Sequence, residues 1–331
     1  MKWRFSKSRY DIALIVPCFN VAPYLPACLE SIETQRGFDR TQVLLVDDGS
    51  EDGTPGLLAD FARRHPNARV LTQRNAGPGA ARNYAMTEVD APYLAFADGD
   101  DVLREDGLHS MLTCARESKA DMVIADFVNV PERPYGRWKQ HFGEGDRLIT
   151  DISEYPEIIF SGSVWNKLYS ARFVRRAKLQ FADGRLFEDA WFSIPAMLAA
   201  KSIYLLDKPV YNYQKRTDRT SIMDSLRTNP ANYFDHLELN LHLLRLGDRH
   251  PGEVKRMLQR YAAFTYRGFL RKLQRGPSGL DLPALLPSLT EHYRLLPDDV
   301  LHEFAEAPGD AELQEAAKNG TLGTLLEART N

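Results

Sequence analysis

The chain has 331 residues, which is enough for one large domain or two ordinary domains with a substantial core. Hydrophobic residues make up 44% and charged residues 26%, a globular composition that excludes collagen-like, low-complexity and largely disordered chains. The chain has 42 basic and 45 acidic residues, so its formal net charge is −3. This charge does not indicate nucleic-acid binding.

Cysteine usage and hydropathy indicate a cytoplasmic protein. Cys18, Cys28 and Cys114 are too scattered for a disulfide framework or a zinc-type spacing, which favours a reducing compartment. The longest apolar runs are strand-sized and fall short of the roughly 20 residues of a membrane span. The basic N-terminus leads into a predicted strand rather than an apolar signal core.

Strand and helix patterns alternate through the first part of the chain. Apolar runs predict strands at residues 12–17, 43–47, 69–72, 93–97 and 122–127. Helical spacing and capping residues predict helices at residues 24–34, from 52 or 54 to 64, 79–86 and 106–117. This alternation, with strands that are almost continuously apolar, predicts an α/β fold whose mostly parallel sheet carries helices on both faces.

The periodic pattern is interrupted from about residue 131 to residue 149, where Pro, Gly and charged residues occur. It resumes at residues 154–160, 165–169 and 189–199, and two short strands are predicted at 202–205 and 210–214. From about residue 224 the pattern is helical throughout. We therefore predict an α/β domain in residues 1–223 and an all-helical domain in residues 224–331.

Acidic residues follow two of the predicted strands, at the sheet edge where ligands bind in such folds. Asp47-Asp48-Gly49-Ser50 follows the second strand, and Asp98-Gly99-Asp100-Asp101 follows the fourth. Two carboxylates around a glycine suit Mg²⁺ or Mn²⁺, although Asp and Gly are also ordinary turn residues. Because converging carboxylates repel each other, a cation is expected to compensate them.

A glycine-rich segment, residues 75–83, follows the third strand. Its glycines allow close approach of a ligand, and Arg82 lies near the positive end of the following helix. An arginine there can bind phosphate or balance the acidic cluster. The alternative interpretation of Arg82 is a surface ion pair.

Four segments in this order resemble a family-2 glycosyltransferase with the GT-A fold: IVPCFNVAPYLPACLESI, VLLVDDGSEDGT, NAGPGAARNYA and YLAFADGDD. The later WNKLY and FEDAWF resemble the bacterial polysaccharide and teichoic-acid branches. The resemblance covers about two-thirds of the chain and fades after Met223. It implies a GT-A type, Rossmann-like catalytic domain in residues 1–223 that binds a nucleotide sugar. Residues 224–331 would then serve the acceptor, a membrane surface or oligomerisation.

The resemblance also implies roles for single residues. The nucleotide-sugar site would include Pro17, Asn20, Asp48, Asn75, Gly77, Arg82 and Asp98. Asp48 would accept a hydrogen bond from the base, typically uracil N3–H, and Asp100 with Asp98 would hold Mn²⁺ or Mg²⁺. Asp101 and Asn83 are expected to be structural. A basic loop containing Arg216, Arg219 and Ser221 would close over the diphosphate.

Two residues of WNKLY keep two interpretations each. Trp165 fits a platform for a sugar ring or a core residue. Lys167 fits a diphosphate contact or a surface lysine whose stem lies along apolar side chains.

Glu188 and Asp189 open a predicted helix, where acidic residues are favourable on dipole grounds alone. The resemblance makes Asp189 the general base, with Glu188 assisting it. It implies an inverting, metal-dependent hexosyl- or N-acetylhexosaminyltransferase. The donor would be a nucleotide diphosphate sugar, expected to be UDP-linked, and the acceptor a glycan, polyol phosphate or lipid-linked molecule of cell-surface polysaccharide synthesis.

Two other functions are compatible with parts of the sequence. One is a non-catalytic module that binds a nucleotide sugar or glycan. The other is a sugar-1-phosphate nucleotidyltransferase, which is disfavoured because Pro17-Cys18-Phe19-Asn20 stands where that class has a glycine-rich basic loop.

The tail contains a possible basic stripe. Arg256, Arg260, Arg267, Arg271 and Arg275 share one face of a helix predicted at residues 251–275. Such a stripe can face anionic lipid or a polyanionic acceptor, or can be the solvated face of a packed helix. With Lys2, Trp3, Arg4 and Lys7, it suggests peripheral contact with the inner face of the membrane. The tail helices could also supply a homo-oligomer interface.

Overall fold

The computed structural model describes residues 8–132, 142–215, 232–266, 269–274, 281–305 and 309–330. The chain divides into two compact units, Met1–Arg216 and Thr217–Asn331. The predicted boundary between residues 223 and 224 falls in a part of the chain outside these ranges.

The described residues of the first unit form a nine-stranded sheet. Its strands are β1 (Ile12–Cys18), β2 (Thr41–Asp47), β3 (Ala68–Thr72), β4 (Tyr93–Phe96), β5 (Val102–Leu103), β6 (Met122–Val130), β7 (Arg147–Ile149), β8 (Lys167–Ser170) and β9 (Ile203–Gln214). The spatial order is β3-β2-β1-β4-β8-β6-β9-β5, and β7 pairs with β9. Strands β3, β2, β1 and β4 are mutually parallel, whereas β8 is antiparallel to both β4 and β6. The predicted α/β fold is confirmed.

Amphipathic helices pack against this sheet. They are α1 (Leu25–Glu33), α2 (Thr54–Arg64), α3 (Gly77–Met86), α4 (Gly107–Ser118), α5 (Ala171–Arg176) and α6 (Glu188–Ala199). Helix α3 contacts β1 and β2, and α4 contacts β6, β8 and β9. The four helices predicted before residue 118 are present, and their ends differ from prediction by at most two residues.

The centre of the sheet is buried on both faces. All seven residues of β1 are buried, and residues 43–46 of β2 have no exposed surface. In a one-sided sheet, alternate side chains would face water. Burial on both faces therefore explains why these strands are almost continuously apolar.

Strand β9 differs from prediction, because the two short strands predicted at residues 202–205 and 210–214 are one element. Leu206 pairs with Ala125 and Pro209 with Asp126, which leaves Asp207 and Lys208 as an irregularity in the ladder. A bulge of this kind keeps the strand in the sheet although its hydrophobic pattern is interrupted.

The described residues of the second unit are helical, as predicted. The helices are α7 (Asn232–Gly247), α8 (Glu253–Tyr266), α9 (Phe269–Gln274), α10 (Leu282–Arg294), α11 (Asp298–Glu303), α12 (Asp310–Asn319) and α13 (Leu322–Thr330). They share their own core, to which Leu237, Leu285 and Leu289 contribute without exposed surface. In the described ranges, no helix combines the length and apolarity needed to cross a bilayer.

The first two arginines of the possible basic stripe are paired with helix α11. Arg256 Nη2 lies 2.5 Å from Asp299 Oδ2, and Arg260 Nε lies 3.0 Å from Glu303 Oε2. These pairs favour the packed-helix interpretation for this part of the stripe. The side chains of Arg267, Arg271 and Arg275 lie outside the described residues, as do Lys2, Trp3, Arg4 and Lys7. Membrane contact and oligomerisation stay predictions.

Candidate active site

The guanidinium of Arg82 holds three carboxylates that come from distant parts of the chain. Its Nη2 lies 2.6 Å from Asp98 Oδ1, and its Nη1 lies 2.7 Å from Glu188 Oε1 and 3.0 Å from Asp189 Oδ1. Only 2% of Arg82 is exposed, so the surface-pair interpretation is wrong and the balancing of the acidic cluster is confirmed. The strand end after β4 and the start of α6 thereby become one site.

Gly79 allows the backbone approach that this cluster requires. A Cβ at Gly79 would lie 2.8 Å from Ala182 O and 3.3 Å from Glu188 Cβ. Asn83, one turn further along α3, donates to Phe181 O at 2.9 Å and accepts from Phe181 N at the same distance. Asn83 is therefore structural, as predicted, and the segment before α6 is fixed against α3.

The turn that follows β4 presents acidic residues in different environments. Asp101 is 2% exposed and accepts hydrogen bonds from Tyr211 Oη at 3.0 Å and Gln214 N at 2.6 Å. Asp98 N donates to the same Tyr211 oxygen at 3.0 Å. Burial, with the nearby charges of Asp100 and Asp98, raises the pKa of Asp101 well above its ordinary value. Asp101 is thus structural, as predicted.

Asp98 and Asp100 are the candidates for holding a divalent cation. The side chain of Asp98 is 29% exposed, and Asp100 is partly exposed. Hard cations such as Mg²⁺ bind one or two carboxylates and complete their shell with phosphate oxygens and water. In the described residues, no group of three or more His, Cys, Asp or Glu side chains is arranged to hold a metal ion. Asp98 and Asp100 supply the ligand type that such a cation binds, and metal binding by this pair stays a prediction.

Asp189 is a mostly buried carboxylate, with 23% of its side chain exposed. It lies in the first turn of α6, and its Oδ2 accepts a hydrogen bond from Val164 N at 3.2 Å. Burial raises the pKa of Asp189 to about 7, although Arg82 opposes this shift; Glu188 adds to it. A carboxyl group with such a pKa can accept a proton near neutral pH, as a general base must.

Asp48 has a structural role that the sequence analysis missed. It is 3% exposed, and its Oδ1 accepts hydrogen bonds from Gln73 Nε2 at 2.8 Å and Ala76 N at 2.9 Å. Its Oδ2 accepts from Gly77 N at 2.9 Å. The carboxylate therefore fixes the start of α3, and its predicted bond to a nucleobase stays a prediction.

The ends of β1 and β2 are joined by Asn20. Its φ is +50°, its amide N–H donates to Ser50 Oγ at 3.1 Å, and its Oδ1 accepts from Glu51 N at 2.9 Å. Pro17 is buried in β1, whereas the neighbouring Phe19 is 43% exposed. An exposed aromatic ring at this edge can stack on a nucleobase. The sequence analysis did not predict this role for Phe19, although the residue lies in the PCFN segment after β1.

Asn75 and Gly77 lie beside the same edge. Asn75 is exposed, and Gly77 has a φ of +87°, a conformation that favours glycine. A Cβ on Gly49, in the loop after β2, would lie 3.0 Å from Asn75 N. The structure thus brings the loops after β1, β2 and β3 together.

Both interpretations of Lys167 are wrong. The residue has no exposed surface, which excludes a surface lysine. Its Nζ lies within 2.9 Å of Ser161 O, Ser161 Oγ, Ser163 O and Asn166 Oδ1. Because an ammonium has three hydrogens, these acceptors leave no donor for a diphosphate.

Trp165 is a core residue and not a sugar platform. It is 7% exposed, and its ring stacks on Tyr211 and Tyr213 with centroids 4.6 and 5.5 Å apart. Phe127 packs edge-on against it at 4.6 Å. The core interpretation of Trp165 therefore holds.

The basic loop predicted to close over the diphosphate stays a prediction. Arg216, Arg219 and Ser221 lie outside the described residues.

Comparison with known proteins gives a consistent result. The family model for glycosyl transferase family 2 matches residues 13–179. EpsH of Bacillus subtilis is 29% identical over 219 residues, which are 61% of this chain and 60% of EpsH. The minor teichoic acid biosynthesis protein GgaB of the same species is 28% identical over 259 residues, 76% of this chain and 28% of GgaB. The chain therefore spans less than two-thirds of these curated relatives.

A solved structure shares the fold. Residues 1–349 of S. aureus TarS, in complex with UDP-GlcNAc, superpose with a TM-score of 0.75 at 21% identity. The match covers 97% of this chain and 90% of that one. At this identity the likeness shows the GT-A fold alone.

Proposed function

Because the chain belongs to glycosyl transferase family 2, we propose that it transfers a sugar from a nucleoside diphosphate donor to an acceptor hydroxyl. The observation that supports this proposal is the guanidinium of Arg82, which lies 2.6 Å from Asp98 Oδ1 and 3.0 Å from Asp189 Oδ1, so that the carboxylate proposed for the donor side and the one proposed for the acceptor side share one partner. The raised pKa of Asp189, at about 7, favours catalysis over a binding module, because perturbed pKa values concentrate at catalytic sites.

The proposed donor is a UDP-sugar, a UDP-hexose or UDP-N-acetylhexosamine. The bound UDP-GlcNAc of TarS supports this choice, and the exposed ring of Phe19 beside Asn20 offers a stacking surface for the base of any nucleotide donor. The teichoic acid role of GgaB supports a polyol-phosphate or glycan acceptor of the cell envelope. Asp48 fixes the backbone of residues 76 and 77, on which the donor would lie.

In the proposed mechanism, Asp189 accepts the proton of the acceptor hydroxyl as that oxygen attacks the anomeric carbon. One displacement of this kind inverts the anomeric centre and needs no nucleophile from the enzyme. Arg82 keeps Asp189 and Asp98 in place and balances part of their charge. A divalent cation held by Asp100 and Asp98 would neutralise the charge that develops on the leaving diphosphate.

Glu188 assists through its position rather than by direct transfer. It is 8% exposed and shares Arg82 Nη1 with Asp189. Its charge contributes to the raised pKa of Asp189, so Glu188 helps to make that carboxyl group an effective base.

The test is a thermal-shift panel of UDP- and GDP-sugars with and without Mn²⁺, followed by transfer assays with the donor that binds. The wild type is expected to show metal-dependent stabilisation by one donor class and to release the nucleotide when acceptor is added. Asp100→Ala should lose the metal-dependent stabilisation. Asp189→Asn should keep it and lose transfer, whereas Asp60→Asn, on the exposed face of α2, should match the wild type.

Two results would contradict the proposal. Donor binding without transfer to any acceptor or to water would indicate a non-catalytic module. Normal turnover by Asp189→Asn would show that another group is the base.

A further inference from the structure

Lys167 is a fully buried lysine that the proposed reaction does not use. It lies in β8 opposite Ile124 of β6, and none of its surface is exposed. Its Nζ lies 2.9 Å from both oxygens of Ser161, 2.6 Å from Ser163 O and 2.9 Å from Asn166 Oδ1. Every hydrogen of the ammonium is therefore used inside the protein.

Keeping an ammonium at this place is costly. Burial lowers the pKa of Lys167 to about 7, and the charge of Asp189 only partly opposes this shift. An apolar side chain of similar length would avoid the loss of hydration. An apolar side chain cannot gather four backbone and side-chain oxygens of one loop around a single point, as the Lys167 ammonium does.

The acceptors of Lys167 all belong to the 161–166 loop, which enters β8. This loop is also attached to its neighbours on two sides. Ser193 Oγ of α6 is hydrogen-bonded to Gly162 O at 2.5 Å, and Asn166 Nδ2 donates to Ala125 O of β6 at 2.7 Å. The loop thus wraps around the lysine ammonium and bridges β6 and α6.

The 161–166 loop delivers one hydrogen bond to the active site. Val164, which has no exposed surface, donates its amide N–H to Asp189 Oδ2 at 3.2 Å. The other oxygen of Asp189 lies 3.0 Å from Arg82 Nη1. The orientation of this carboxylate therefore depends on the arginine on one side and on the loop on the other.

We propose that Lys167 is a positioning residue for Asp189, because its ammonium sets the path of the 161–166 loop and the loop presents the Val164 N–H. The inference rests on the proposed function, since it takes Asp189 as the base. Without the ammonium, one oxygen of Asp189 loses its donor, and the carboxylate is no longer held toward the acceptor hydroxyl. The loops after β1 and β2, which would bind the donor, do not depend on this contact.

The test compares transfer kinetics of Lys167→Met with those of the wild type. Methionine keeps the length of the side chain and removes its donors. Because a small misplacement of a catalytic group can slow a reaction greatly, kcat is expected to fall on the order of 10- to 100-fold. The KM for the donor should stay within about two-fold, since donor binding is not involved.

Two further variants keep the test decisive. Ser161→Ala removes only one of the four acceptors, so it should fold even if Lys167→Met does not, and it should lower kcat in the same direction by a smaller factor. Asn67→Ala is the matched control. Asn67 is 6% exposed and donates to Phe38 O and Thr41 O, so its loss should lower thermal stability without changing kcat.

The second measurement places Lys167→Met in the Asp189→Asn background. If Lys167 acts through Asp189, it should cause no further loss of the residual transfer rate. An unchanged kcat in folded Lys167→Met, or an equal loss in both backgrounds, would overturn the inference while leaving the proposed function intact. Normal transfer by Asp189→Asn alone would overturn the base assignment and, with it, this inference.

Discussion

Removal of the Arg82 charge tests how much the acidic cluster depends on one cation. In Arg82→Met the volume of the side chain is largely kept, but Asp98, Glu188 and Asp189 lose their shared partner. Breaking a buried ion pair from one side costs about 3–5 kcal/mol. The side chains of Asp98, Glu188 and Asp189 are 29%, 11% and 23% exposed, so water partly solvates them when Arg82 is removed. The expected loss of unfolding free energy therefore stays within that range instead of reaching three times as much.

The assay is urea unfolding followed by tryptophan fluorescence. All four tryptophans of the chain lie before residue 217, so the signal reports the Met1–Arg216 unit. For a unit of this size, a loss of about 3–5 kcal/mol corresponds to a fall in Tm of roughly 6 to 20 °C. Arg82→Lys keeps a charge without the planar fork and should lose less. Arg63→Met, which removes an exposed pair with Asp60, should show no measurable change.

The pH dependence of this variant has a definite sign. Burial raises the pKa of Asp189 in the folded state above its unfolded value, and without the opposing charge of Arg82 this pKa rises further. A raised carboxyl pKa favours the folded protein only while the group is protonated. The loss of unfolding free energy relative to the wild type should therefore be small near pH 4. It should grow as the pH rises toward the raised pKa of Asp189 in the variant. A deficit that is independent of pH, or larger in acid, would refute the reasoning.

Three further predictions concern the donor edge, the close packing of α3 and the base. Phe19→Ala should weaken donor binding by about 10-fold through lost stacking, measured by calorimetry, whereas Tyr84→Ala, also exposed, should not. Gly79→Ala should lower Tm and kcat because its Cβ would lie 2.8 Å from Ala182 O; Gly56→Ala, with open space, should not lower either. The kcat/KM of the wild type should fall as the pH drops below about 7, because Asp189 becomes protonated; a flat profile from pH 8 to 5 would contradict its role.

The parallel part of the fold was predictable because local patterns determine it. Strands buried on both faces need unbroken apolar runs, which the sequence shows, and the residues after β2 and β4 indicated the edge of the sheet where the candidate site lies. The compensation of the acidic cluster by a cation was also predictable, since several carboxylates cannot converge without one. That Arg82 is this cation, and buried, depended on contacts with α6.

The remaining features depend on contacts between distant residues, which a local pattern does not encode. Lys167 has the charge of a surface residue, and only its insertion between β4 and β6 buries it. From the sequence, the carboxylate of Asp48 could bind either a ligand or groups of the protein itself. In the structure it accepts hydrogen bonds from the 73–77 segment, whose position a local pattern does not predict. For Phe19 a signal existed, an aromatic residue at a strand end, but its exposure required the structure.

The position of β8 has a consequence for the order of folding. Strands β4 and β6 are made early but do not pair with each other, because β8, made later, pairs with both. A nascent chain that ends before residue 167 therefore carries two unpaired strand edges, which are prone to aggregation. Long-range pairing of this kind is slow. We therefore expect the acidic turn after β4 to join Glu188 and Asp189 only after the sheet has closed around β8, and newly made protein to gain transfer activity after this closure rather than before it.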